Sequence, residues 1–189
     1  MFLDYLKESP DCLYIYNRDF SVYGAEPKEQ YTIVVKDDWK CPEQFEDYDP
    51  FVYQIYTISN WFELVLSGSI IAWECACLNK KYVIKEYVKL MMTTNPLQLR
   101  KDVEELRREV NESISITQEW ALIKLIVFSN QIIENHKIVN FKEPISYFNR
   151  REEESLDQVI EEPYNKLKSL TDGMLEKERL NKINKWAKS

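Results

Sequence analysis

The chain has 189 residues, 44% hydrophobic and 30% charged, which is apolar material enough for one packed domain, alone or with a helical addition. Its aromatic content of 13%, with 12 Tyr and 5 Trp, argues against disorder over most of the length. A net charge of -7 repels phosphate backbones and argues against broad, non-specific binding of DNA or RNA.

The opening "MFLDYLKESPD" has neither the basic n-region nor the apolar h-region of a signal peptide. The longest apolar stretch, "WALIKLIVF", is far short of the roughly 20 residues that a membrane helix needs. The expectation is a cytoplasmic protein without a membrane partner. Up to Tyr56 the apolar residues come in short runs rich in β-branched and aromatic side chains. "CLYIY", "YTIVV" and "FVYQIY" are each bounded by Asn, Asp, Gly or Pro, and predict strands over 12–17, 31–36 and 51–57. Loops rather than long helices separate them, which disfavours a doubly wound parallel sheet.

From Ser59 the period becomes helical. "SNWFELVLSG" opens on Ser59 as the expected N-cap and closes on Gly68 as the expected C′ residue. Glu74 and "YVIKEYVKLMM" continue as helix, and Asn95 with Pro96 predicts the start of another. There Leu97, Leu99, Val103, Leu106 and Val110 share one face. "TQEWALIKLIVFSNQIIEN" is apolar enough to be the central helix of the second half. The tail from Asn149 is heavily charged, yet Leu156, Val159 and Ile160, then Tyr164, Leu167, Leu170, Met174 and Leu175, keep a helical stripe. Pro163 should break or kink that stripe, and the basic "KERLNKINKWAKS" should fray.

Cys12, Cys41, Cys75 and Cys77 lack the paired C-x2-4-C spacing of a zinc site, and "CAC" is too tight for it. They read as buried or half-buried thiols of a reducing compartment. His136 has no nucleophile motif around it and reads as a helix C-terminal residue. The arginines of "LRREV" and "NRREEE" stand among glutamates at helical spacing and read as a self-paired, solvated face.

The run "FVYQIYTISNWFELVLSGSIIAWECACLNKKYVIKE" resembles a predicted nucleotidyltransferase family of phages and bacteria within the DNA-polymerase-β-like superfamily. The family's strand falls on Val52 to Tyr56, its first helix on Trp61 to Leu66 and its turn glycine on Gly68. Its second-helix acid falls on Glu74, and its entry to the next helix on Tyr82. The resemblance implies an α+β fold: a small mixed β-sheet with flanking helices, nucleotidyltransferase-like, over residues 1–80. A helical C-terminal half over 81–189 would pack on it.

The catalytic part departs from the pattern. Laying Tyr23 and Gly24 on the family's Y-G puts Asp19 and Phe20 where Gly and Ser belong. The acidic S-D-x-D then falls on Glu29, Gln30, Tyr31 and Thr32, and the third carboxylate falls on Gln54. Nucleotidyl transfer relies on two Mg²⁺ ions roughly 3.5–4 Å apart that clamp the attacking and leaving oxygens. Mg²⁺ takes carboxylate oxygens, whereas Gln and Thr offer only neutral ones. Asp38 lies six residues beyond Thr32, about 20 Å away at about 3.3 Å per residue. Glu29 would point to the opposite face from Gln30, and Glu26 would act alone.

The resemblance with these losses implies a catalytically inactive protein with a vestigial pocket at Asp19, Phe20, Glu29, Gln30, Thr32 and Gln54, and no metal or cofactor. The expected role is a binding or regulatory module for a protein partner, a phage protein aimed at a host factor. The alternatives are an active enzyme using Mg²⁺ and a nucleoside triphosphate through other acids, or a self-associating structural protein, such as a homodimer.

Overall fold

The computed structural model describes residues 2–18, 30–50, 52–78, 84–112 and 115–186. They form two compact units, Met1–Thr94 and Asn95–Ser189. In the first, helix α1 (Phe2–Glu8) precedes strands β1 (Cys12–Asn17), β2 (Tyr31–Val35) and β3 (Tyr53–Thr57). Helices α2 (Ile58–Ser67), α3 (Ile70–Leu78) and α4 (Ile84–Thr93) follow. The sheet order is β1-β2-β3, with β2 antiparallel to β1 and parallel to β3. The chain is therefore α+β with a small mixed sheet, and the three strands lie within a residue or two of the expected spans.

The parallel pair needs a long return path between its strands. The described residues of that path, 36–50 and 52, form no α-helix, and their Trp39, Cys41, Phe45, Tyr48 and Val52 pack against the core beside α1. That face of the sheet presents Tyr31, Ile33 and Val35 to Phe2 and Leu6. Phe2 meets Phe45, Tyr48 and Tyr53 at ring distances of 5.1, 5.3 and 5.2 Å, so aromatic residues close this layer. The opposite face lies under α2, where Trp61 stacks on Tyr16 at 5.2 Å. Every residue of the middle strand β2 is buried, which explains its unbroken "YTIVV".

The N-cap of α2 is Thr57, whose side chain accepts from the Asn60 N–H, and not Ser59 as the sequence predicts. Ser59 already lies inside the helix, and its hydroxyl donates to Asp37 at 2.7 Å. Gly68 ends α2 in the left-handed region with φ 72°, as expected. Across it α2 and α3 meet at 98°; among the described residues no single helix is long and apolar enough to cross a membrane. The sequence places the division of the chain at residue 80. The observed unit runs on to Thr94, because Thr93 donates to the Val65 carbonyl and the Trp73 indole donates to Thr94.

The second unit contains α5 (Pro96–Glu112), α6 (Ile116–Asn135), α7 (Glu143–Asn149) and α8 (Leu156–Trp186). The Asn95 side chain accepts from the Leu97 N–H, the expected cap. Helix α6 is central: Leu122, Ile123, Ile126, Val127, Phe128 and Ile132 are all buried. Leu99, Val103 and Val110 of α5 and Val159, Ile160 and Leu167 of α8 are buried with them. Pro163 does not break α8, and the helix runs on through much of the basic tail to Trp186. Pro163 is buried beside α6, where the Asn130 amide donates to its carbonyl at 2.8 Å, so packing offsets the missing N–H.

Candidate functional site

Tyr16 of β1 stands opposite Thr32 of β2, and Thr32 stands in register with Gln54 of β3. Directly opposed residues share a sheet face, so these three form a row across the face under α2. Arg18 lies two residues past Tyr16, and its N–H donates to the Gln30 carbonyl at 2.6 Å, prolonging the ladder by a step. The period of two returns its side chain to the same face. From there Nη2 donates to the Gln54 Oε1, and Nη1 lies 3.4 Å from the Glu74 Oε2 on α3.

This ion pair is buried. Arg18 is 3% exposed and Glu74 is 0% exposed. A charge held out of water is tolerated when it is paired and hydrogen-bonded, and Gln54 supplies the second contact for the guanidinium. Thr32 is fully buried, and among the described residues its hydroxyl, the Arg18 Nε and the Trp61 indole N–H have no hydrogen-bond partner. Close by, burial raises the Tyr56 phenol above its usual range, partly opposed by the Arg18 charge.

Of the residues expected in the vestigial pocket, Thr32 and Gln54 therefore stand side by side, and Gln30 joins them through its backbone at the mouth of β2. Asp19, Phe20 and Glu29 lie outside the described residues, as do Tyr23, Gly24, Glu26 and Tyr82. Sequence reasoning overlooked Arg18. It named Glu74 but gave it no role. The signal was in "IIAWECACL", a nine-residue apolar helix with one carboxylate, because a buried acid demands a cation.

Of the acids considered as substitutes, Glu26 and Glu29 lie outside the described residues, and Asp38 is exposed in the turn after β2, next to Asp37. Asp37 accepts from both the backbone N–H and the hydroxyl of Ser59, and these bonds hold its carboxyl below the usual range. It serves the start of α2. Among the described residues, no group of three His, Cys, Asp or Glu side chains is placed to hold a metal ion. No disulfide joins the four cysteines, and Cys75 is fully buried. Burial raises the thiols of Cys12 and Cys41, the latter with help from the Glu46 charge. His136 caps α6 with φ 55°, its N–H on the Ile132 carbonyl. Of the arginines in those two runs, Arg150 pairs with Glu154 at the expected helical spacing, whereas Arg107 pairs with Asp157 and Arg151 with the buried Glu119 across elements, and Arg108 donates to the Glu104 carbonyl.

Chemically, the row offers a hydroxyl, an amide and a fixed guanidinium–carboxylate pair. Among the described residues it pairs no nucleophile with a base. Fold and site together define an α+β chain with a neutral polar row, crossed by an internal ion pair, on one face of a three-stranded mixed sheet. The chain matches no family model, and no curated protein and no solved structure matches it significantly.

Proposed function

We propose that the chain is a catalytically inactive, nucleotidyltransferase-like protein that acts as a binding or regulatory module for another protein, such as a phage protein meeting a host factor. One observation carries the reading: the Arg18 guanidinium lies against Gln54 and Glu74, beside Thr32, where an active site of this type would need carboxylates and divalent cations. A fixed cation there repels a second one, and Glu74, the acid described beside it, is already neutralised. Neither Thr32 nor Gln54 can supply charge to a metal ion. Loss of charge at this row with retention of its packing leaves the surface as the working part of the molecule.

The test is incubation of the protein with each radiolabelled nucleoside triphosphate, Mg²⁺ or Mn²⁺, and host lysate as acceptor. The expected result is no labelled product and no thermal shift with Mg²⁺-ATP. Labelled product that disappears in Asp37→Asn or Glu29→Gln would establish an active enzyme with non-standard acids and overturn the reading. Affinity capture with mass spectrometry then identifies the protein partner.

A further inference from the structure

The unit Met1–Thr94 carries an apolar corner that its own core leaves open. On α2, Trp61 and Val65 face inward, whereas Phe62 and Leu66, each one step round the helix, are 55% and 50% exposed. On α4, Leu90 is fully buried, while Met91 and Met92 face outward, Met92 at 77% exposure. The Thr93 hydroxyl donates to the Val65 carbonyl at 3.2 Å, so Leu66 and Met92 are the chain neighbours on either side of one hydrogen bond. Single exposed apolar residues need no explanation, but a group on two packed helices does. Phenylalanine and methionine are also side chains that protein interfaces favour.

The charges at this corner indicate the occupant. Glu63 follows Phe62 on α2, and Lys89 stands one turn before Met92 on α4. Both are exposed, and neither is ion-paired among the described residues, unlike Lys36 with Asp11 in the same unit. Among the described side chains the corner carries one acid and one base, so in a chain of net charge -7 two copies meet here without the repulsion that opposes them elsewhere. A two-fold interface brings a patch against itself, so that residue i of one protomer meets j of the other and j meets i. An apolar centre with one acid and one base at its edge is complementary to itself under that operation.

We propose that the α2–α4 corner is the contact face of a homodimer. Phe62, Leu66 and Met92 form its centre, and Glu63 of one protomer faces Lys89 of its partner. This inference rests on the corner alone and does not depend on the inactive-enzyme reading.

Sedimentation equilibrium of the full chain over a wide concentration range tests it. The expected species at high concentration has twice the 22.7 kDa chain mass. Leu66→Glu and Met92→Glu should each weaken the dimer roughly 30-fold, the scale of a central interface residue, with unchanged far-ultraviolet circular dichroism. Glu63→Lys and Lys89→Glu should each weaken it by up to about fivefold, and the chain carrying both should regain wild-type affinity. Those two changes lie on exposed positions, so the reversal remains decisive if an apolar-to-acid variant folds poorly. A wild type that stays at 22.7 kDa, with or without another protein on the corner, overturns the proposal, as does a dimer indifferent to these substitutions.

Discussion

The Arg18 guanidinium lies 3.4 Å from the Glu74 carboxylate with both side chains buried, and it joins the end of β1 to α3 across the face that holds Thr32 and Gln54. Removing one partner leaves the other charged and desolvated, which costs about 3–5 kcal/mol. Glu74→Met and Arg18→Met should each lower the unfolding free energy read from urea titration by an amount in that range. The double variant should recover most of the loss, because apolar side chains of similar volume replace a buried pair at little cost. Equal and additive losses in the two single variants would show that the pair is not coupled.

Stability should fall in acid through Asp37. Ser59 donates twice to its carboxylate and lowers its folded pKa, so the charged form is the one the fold prefers. A depressed pKa contributes stability that is complete above the unfolded value of about 3.9 and is lost as pH falls through the lower folded value. Asp37→Asn should therefore lower Tm at pH 7, while the gap between variant and wild type narrows below about pH 4. Thermal melts at several pH values measure this, and a gap that does not change with pH would contradict the assignment.

Gly68 is held twice over. Its φ of 72° strains any residue with a Cβ, and a Cβ built there would stand 2.7 Å from the Thr94 hydroxyl oxygen and 3.0 Å from its Cα. Gly68→Ala should cost about 1–2 kcal/mol from backbone conformation alone, and more from the contact. Urea titration measures the loss, and a Gly68→Ala variant as stable as the wild type would contradict this assignment.

The thiols should be sluggish nucleophiles. Cys12 and Cys41 carry raised pKa values, chiefly through burial, and Cys75 is fully buried. Thiolate is the reacting species, so alkylation of the native protein near pH 7 should be slower than that of a free cysteine peptide. Rates at Cys12 and Cys41 should climb steadily through pH 9, and Cys75 should react only in denaturant. Mass spectrometry of the labelled peptides reads each site separately, and rapid labelling of Cys75 in the native protein would contradict its burial.

Local pattern was enough for the three strands, the turn at Gly68, the cap at Asn95 and the central place of α6. Each depends on residues close in sequence: the alternation in "CLYIY", a glycine where φ is positive, an asparagine before a first-turn proline, and an apolar run of helical length. The resemblance, rather than the pattern, assigned Thr32 and Gln54 to one pocket, and the parallel pairing of β2 with β3 sets them side by side. What pattern could not determine came from partners distant along the chain. Thr57 replaced Ser59 as the cap because Asp37, some twenty residues earlier, takes the serine hydroxyl. Pro163 stays inside α8 buried against another helix, whose Asn130 donates to its carbonyl. Arg18 meets Glu74 across 56 positions, and no period within one element encodes that meeting. Composition shows that the acid in "IIAWECACL" must be paired if it is buried, since a lone charge in an apolar layer is too costly to keep. Only the tertiary structure decides which cation arrives, because the choice depends on how β1, β3 and α3 are laid together.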